Sequence, residues 1–289
     1  MQKILIALDS SSCSERAGRV GLAFAKALGS QVVATHVLKP TEDLTQAQRV
    51  LEPWVAIAQQ MGLSLQTKPL QAEGVAEGIV ELAQEIRADL IVMGTHGREG
   101  LPRLMLGSVA ERVSRLAPMP VMLVRGNGEV EPHAGLFERI LAPIDGSQAG
   151  RQAFALADWL AQRLGAELQV LHVVPSLPTP VGEPWAGPGA IPIYSWEEAR
   201  KALEAEGQAI LEGARRLARA PRLTTHLRKA QGRREAAVIV EFAREQHSDL
   251  IVMGTHGRTG LERWLLGSVA EGVAHHAPVP LLLVRPTPA

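Results

Sequence analysis

The segment GTHGREGLPRLMLGSVAE, which begins at Gly94, returns as GTHGRTGLERWLLGSVAE at Gly254. No other feature restricts the fold so strongly. Between Asp89 and Glu111, and again between Asp249 and Glu271, only four of 23 positions differ. The likeness spreads outward. KILIALDSS near the start is matched by RILAPIDGS at Arg139, and KALGSQVVATHV by QRLGAELQVLHV. In these outer parts the offset is 136 residues, so Asp9 corresponds to Asp145, Leu28 to Leu164 and His36 to His172. At the glycine segment the offset is 160, which puts 24 extra residues between the second and fourth strands of the second copy. A unit of this length exceeds a solenoid repeat, and each copy is long enough to hold its own core. The chain reads as a duplicated domain.

Within each copy, short apolar runs alternate with amphipathic stretches. The first copy offers KILIAL, a helix-like ERAGRVGLAFAKAL, QVVATHV, a helical stretch from Glu42 to Met61, LSLQTKP, the helix GVAEGIVELAQEIR, DLIVMG, a helix near RLMLGSVAERVSRL and a final PVMLV. Strands separated by helices of this length imply crossover connections and a parallel sheet covered on both faces. The fold class is therefore α/β, with two tandem three-layer domains. The join falls in GNGEVEPHAG, from Gly126 to Gly135, which gives domains at 1–126 and 137–289 with 127–136 as linker. The extra segment of the second domain, near 175–196, holds five prolines and three glycines between Pro178 and Pro192. That density disfavours a regular helix. Trp185, Tyr194 and Trp196 favour a loop packed on the protein over a solvated excursion.

Thirty basic and thirty acidic residues balance formally, so no chain-wide field exists to grip nucleic acid or an anionic membrane. The basic stretch Arg215, Arg216, Arg219, Arg222, Arg228, Lys229, Arg233 and Arg234 lacks the interleaved aromatics of a nucleic-acid platform and reads as a solvated face. The single cysteine, Cys13, allows no intramolecular disulfide and suits a reducing compartment. MQKILIALD reads as a first strand and not as a signal peptide. No apolar run approaches the roughly 20 residues of a membrane span. The expectation is a cytoplasmic protein without nucleic-acid or membrane partners.

In each copy the repeated segment follows a strand and enters a helix: G-x-x-G, nine residues, then G-S. The positions are Gly94, Gly97, Gly107 and Ser108, then Gly254, Gly257, Gly267 and Ser268. A loop at the carboxyl end of a parallel strand presents several backbone N–H groups to one anion. Glycine allows close backbone approach, and Arg98 and Arg258 offer a charged fork. In the plainer reading these glycines only end strands and pack helices closely. Neither a Walker A loop nor G-x-G-x-x-G after the first strand is present. Asp9 and Asp145 close the first strand of each copy, at the sheet edge where open parallel sheets bind ligands. Each either caps the following helix or accepts hydrogen bonds from a ribose or an exocyclic amine. His96 and His256 lie inside the G-x-x-G turns, but no G-x-S-x-G elbow accompanies them. No zinc spacing occurs.

The combination of aspartate after strand one, His-Val at the end of strand two and G-x-x-G-(nine)-G-S after strand four resembles the universal stress protein family, in its ATP-binding branch. The resemblance covers nearly the whole chain except the join and the proline-rich segment. It implies a five-stranded parallel sheet of order 3-2-1-4-5 in each domain, of adenine-nucleotide-binding type. It also implies association through the last strands, so that VMLV from Val121 and LLLV from Leu281 pair within one chain as a pseudo-dimer. Higher homo-oligomers are compatible with this. By motif, adenine lies near Ala7, Asp9 and Val37, ribose near Met93 and Gly94, and phosphates at Gly97, Arg98, Gly107, Ser108 and Val109. The second site uses Pro143, Asp145, Val173, Met253, Gly254, Gly257, Arg258, Gly267, Ser268 and Val269. Ala7 departs from the proline frequent in the family, which Pro143 retains.

The expected function is ATP binding with a regulatory or protective role in stress response, with magnesium entering only through the ATP phosphates. No catalytic residue and no protein metal site is assigned. A slow ATPase or phosphoryl-transfer enzyme in the same pocket is the alternative, and a nucleotide-independent interaction module is the third.

Overall fold

A computed structural model of the chain describes residues 1–96, 106–126, 137–177, 193–257 and 266–286. The first half runs β1 (Lys3–Ala7), α1 (Ser12–Leu28), β2 (Gln31–Thr35), β3 (Val37–Leu38), α2 (Leu44–Gln60), β4 (Leu65–Thr67), β5 (Leu70–Gln71), α3 (Val75–Glu85), β6 (Leu90–Gly94), α4 (Ser108–Leu116) and β7 (Val121–Val124). The second runs β8 (Arg139–Pro143), α5 (Gln148–Leu164), β9 (Glu167–Val174), α6 (Ile193–Leu217), β10 (Arg222–Lys229), α7 (Glu235–Glu245), β11 (Leu250–Gly254), α8 (Ser268–His276) and β12 (Leu281–Val284).

Ten of the strands form one sheet in the order β10-β9-β8-β11-β12-β7-β6-β1-β2-β4. Every neighbouring pair is parallel except β7 and β12, which meet antiparallel with Leu123 opposite Leu281 and Val121 opposite Leu283. The apolar runs VMLV and LLLV thus pair with one another, and each is buried along its length. Strand residues of alternating parity feed two cores. Ile4, Ile6, Val92 and Met122 face one side with residues of α1, α2, α5 and α6. Leu5, Ile91, Met93 and Leu123 face the other with α3, α4, α7 and α8. Each core runs through both halves, and each fully buried Leu, Ile or Val side chain contributes about 1.5–3 kcal/mol. Phe24 of α1 meets Phe137 edge-on across the seam, with ring centroids 5.7 Å apart.

Local chemistry explains the helix ends. Ser11 caps α1 by accepting from Ser14 N, Ser147 caps α5 by accepting from Gly150 N, and both helices stop at a left-handed glycine, Gly29 and Gly165. α4 and α8 differ. Their N-caps are Gly107 and Gly267, which supply no side-chain hydrogen bond. Each helix ends at an alanine before a proline, which disfavours helical backbone at the preceding residue.

Periodicity did not indicate the two-stranded sheet of β3 and β5, where Val37 pairs with Leu70. Pro69, without an N–H, separates β4 from β5, whereas β9 and β10 pair continuously over eight residues. The proline-rich segment near 175–196 runs into α6 at Ile193, so its last residues, including Tyr194 and Trp196, are helical and not loop. Its 178–192 portion, with Trp185, and the 127–136 linker lie outside the described residues. The basic stretch is laced with surface ion pairs, including Arg216 to Glu212 at 3.3 Å, Arg228 to Glu245 at 3.2 Å and Lys229 to Glu204 at 2.7 Å. Among the described residues no helix is long and apolar enough to cross a membrane.

Two candidate ligand cavities at the switch points of the sheet

In the first half β1 lies between β2 and β6, and in the second β8 lies between β9 and β11. The helices that follow the central strands, α1 and α5, pack on one face of the sheet, and those that follow the adjacent strands β6 and β11, α4 and α8, on the other, so a crevice opens beyond the strand ends. A cavity of about 350 Å³ occupies this place in the second half and one of about 450 Å³ in the first. Both volumes fall within the roughly 300–1,000 Å³ of small-molecule sites.

The sequence-selected residues converge on these cavities. Ala7, Asp9, Val37, Met93, Gly94, Gly107, Ser108 and Val109 all line the first. Pro143, Asp145, Val173, Met253, Gly254, Gly257, Gly267, Ser268 and Val269 all line the second. Gly97, Arg98 and Arg258 lie outside the described residues.

A backbone hydrogen bond brings the distant parts of the glycine segment together. Gly107 N donates to Thr95 O at 2.8 Å, and Gly267 N to Thr255 O at 2.8 Å. Ser108 and Ser268 then begin α4 and α8, whose first-turn N–H groups have no intrahelical acceptor and receive none from the capping glycine's side. These amides and the positive helix end suit an anion. The apolar wall is made by Val37, Ile79 and Met93 in the first cavity and by Val173, Ile239 and Met253 in the second.

The aspartates fit neither expectation alone. Asp9 Oδ1 accepts from Ser11 N at 2.8 Å, and it is Ser11 that caps α1. Asp145 Oδ1 accepts from Ser147 N at 3.0 Å and from Ser147 Oγ at 2.6 Å. Each carboxylate therefore shapes the turn after the first strand while lining a cavity. The aspartate turn and the glycine segment touch: a Cβ on Gly257 would lie 3.0 Å from Asp145 Oδ2, and Ser11 Oγ donates to His96 O at 3.3 Å.

Gly94 and Gly254 have a packing role that the sequence left open. A Cβ on Gly94 would lie 3.1 Å from the Cys13 carbonyl carbon and from Ser14 N, and one on Gly254 2.7 Å from Ala149 Cβ. These glycines let the first turns of α1 and α5 rest on the strand ends.

The four histidines that line the cavities divide into two pairs. His36 Nδ1 lies 2.6 Å from Leu8 O, and His172 Nδ1 2.8 Å from Ile144 O. Because a carbonyl only accepts, both Nδ1 atoms carry protons. His96 Nδ1 lies 2.8 Å from Thr95 Oγ1, His256 Nδ1 2.9 Å from Thr255 Oγ1, and both Nε2 atoms are buried. Burial lowers the His96 pKa from its ordinary value, and the charges of Arg125 and His275 act in the same direction. Cys13 is buried beside Thr95, with Sγ donating to Val124 O at 3.0 Å. Among the described residues no group of three or more His, Cys, Asp or Glu side chains is arranged to hold a metal ion.

Some lining residues were not singled out in the sequence. Ile79, Ile239, Thr95 and Thr255 sit at matched positions of the two copies, so the repeat itself carried the signal. Leu203 and Glu206 of α6 line only the second cavity, and they come from the stretch where the two copies cease to match.

The model of the universal stress protein family matches residues 1–125 and 136–285. A universal stress protein of Mycolicibacterium smegmatis is 30% identical, with 98% of this chain and 97% of that protein covered. One of Methanocaldococcus jannaschii is 40% identical over 55% of this chain and 85% of its own length. Among solved structures, a universal stress protein of Archaeoglobus fulgidus superposes with a TM-score of 0.67 at 20% identity, covering 98% of this chain and 96% of that one. A functionally unknown protein of Pseudomonas aeruginosa gives 0.71 at 18% identity, covering 99% and 93%. At these identities the two structures speak for the fold alone. With two family matches that together span almost the whole length, the chain belongs to the universal stress protein family, as a tandem of two such domains.

Proposed function

We propose that the chain is an ATP-binding universal stress protein with one adenine-nucleotide site in each half, and that bound nucleotide regulates its stability or its contacts in a stress response. In this reading the two halves of the sheet are domains with boundaries at 1–126 and 137–289. Each has the order 3-2-1-4-5 when its own core strands are numbered, and they form a pseudo-dimer through β7 and β12. The observation that carries the reading is the pair of matched cavities. Each joins an uncapped helix start to an apolar slot and a carboxylate. The helix start suits phosphate, the slot a flat ring, and Asp9 or Asp145 the hydroxyl or amine groups of a nucleoside. Arg98 and Arg258 belong to the proposed phosphate end by motif, and any magnesium would enter with the nucleotide.

We favour binding over turnover. Phosphoryl transfer needs a nucleophile held in line and compensation of developing charge. The helix starts answer the second need. For the first, His96 and His256 keep Nδ1 on a threonine and Nε2 buried, and in this reading the aspartates serve the nucleoside end of the ligand, away from the phosphates. ADP release at saturating ATP and magnesium is expected far below the range of about 1–1,000 per second common to efficient enzymes. Turnover above roughly 1 per second that vanishes in a Gly107→Val, Gly267→Val double variant would establish the enzyme alternative instead.

A further inference from the structure

The antiparallel seam places the carboxyl edge of each half beside the base of the other. Val124 O accepts from Thr95 N at 3.0 Å, which ties the end of β7 to the first cavity's loop. The next residue, Arg125, reaches across the seam, and its Nη1 donates to the carbonyl of His275 in the last turn of α8. The arrangement is reciprocal. Val284 O accepts from Thr255 N at 2.9 Å in the second half, and Arg285 Nη1 donates to Ala117 O, the C-cap of α4, at 3.4 Å. α4 and α8 are the helices whose first turns line the cavities. Each therefore has its amino end at its own half's cavity and its carboxyl end held by an arginine of the other half.

Nine-residue helices are too short to be stable alone, and their last carbonyls lack intrahelical donors. A guanidinium there satisfies a carbonyl and complements the negative end of the dipole. It also fixes the helix along its axis, and with a rise of about 1.5 Å per residue the far end follows as a rigid rod.

We propose that Arg285 is a positioning residue for the first cavity and Arg125 for the second: each half of the chain sets the anion-binding helix start of the other. This rests on the reading of the cavities as adenine-nucleotide sites. It yields a crossed pattern, whereas a local role would yield the opposite one. Arg125 adjoins the first cavity, where its charge acts on His96, so a local effect of its loss would appear in the first cavity.

The test uses the full chain with ¹³C-methyl methionine, because Met93 lines the first cavity and Met253 the second. ATP titrations report each site separately. Arg285→Ala should weaken ATP at Met93 roughly threefold to tenfold and leave Met253 within about twofold, with Arg125→Ala giving the reverse. Arg285→Lys, which keeps a charged donor, should recover most of the loss. Weakening in the variant's own half, or equally in both, would overturn the inference. If ATP moves neither methyl in the unaltered protein, the nucleotide reading fails and amide exchange decides the positioning. Exchange at Ser108, Val109 and Ala110 should then quicken in Arg285→Ala, and at Ser268, Val269 and Ala270 in Arg125→Ala. Unchanged or exchanged patterns would refute it.

Discussion

Gly107→Val is expected to lower ATP affinity at the first cavity by about tenfold to a hundredfold while the second cavity stays filled. A Cβ at this position would lie 2.8 Å from the Thr95 carbonyl oxygen and 3.4 Å from His96 Cα. Both are backbone atoms and cannot swing aside. The residue must move, which strains or breaks the Gly107 N to Thr95 O bond and carries the first turn of α4 with it. Overpacking of this kind costs about 1–3 kcal/mol, and each 1.4 kcal/mol is tenfold in affinity. At Gly267 the corresponding atom, the Thr255 carbonyl oxygen, is 3.1 Å away, so Gly267→Val should be the milder of the two. Adenosine should lose less than ATP at either site, because the displaced amides serve the phosphates. Titrations with both ligands, alongside an unchanged melting curve, decide the matter. Equal losses for the two ligands would mean that this helix start does not hold phosphate.

Gly254→Val is expected to destabilise the whole protein by about 3 kcal/mol. The added Cβ would meet Ala149 Cβ at 2.7 Å, the Ala149 carbonyl carbon at 2.8 Å and Gly150 N at 3.0 Å. Relief requires the first turn of α5 to withdraw from β11. That would disturb the Ser147 cap and the Asp145 turn together. Gly94→Val presses on Cys13 and Ser14 at 3.1 Å and should cost somewhat less. Denaturant unfolding gives both values. A change within about 0.5 kcal/mol, the usual span for unimportant surface substitutions, would show that the helix yields without cost and that these glycines are not required for packing.

The different roles of these glycines show what the sequence can and cannot convey. The repeat located all five of its glycines now described around the cavities, Gly94, Gly107, Gly254, Gly257 and Gly267, because identical spacing in two copies is visible in the sequence. It did not say which way a missing Cβ would point. Gly94 and Gly254 turn out to face the helix that follows the first strand, a contact between residues more than 80 positions apart in the first half. Likewise Asp9 and Asp145 were visible as carboxylates at strand ends. Their division of labour with Ser11 and Ser147 depends on a local turn geometry that several polar sequences share.

Apolar periodicity placed β1, β6, β7 and their counterparts, since buried parallel strands read as continuous apolar runs. It set the start of α1 late, at Glu15, because SSSCS carries polar residues in a turn that is nevertheless helical from Ser12. β3 and β5 are two residues each, below the length at which alternation shows. Leu203 and Glu206 reach the second cavity from α6, which has no matched stretch in the first copy. The arginine contacts across the seam were out of reach for another reason: Arg125 and Arg285 look like ordinary residues after a last strand. Only the antiparallel meeting of β7 and β12 brings them to the opposite helix ends.

Isothermal titration of ATP into the nucleotide-stripped full chain decides whether it holds two adenine-nucleotide sites. The matched cavities predict a stoichiometry approaching two, and denaturing the protein as purified should release adenine nucleotide. Absence of any heat on titration, together with no nucleotide released on denaturation, would contradict the account.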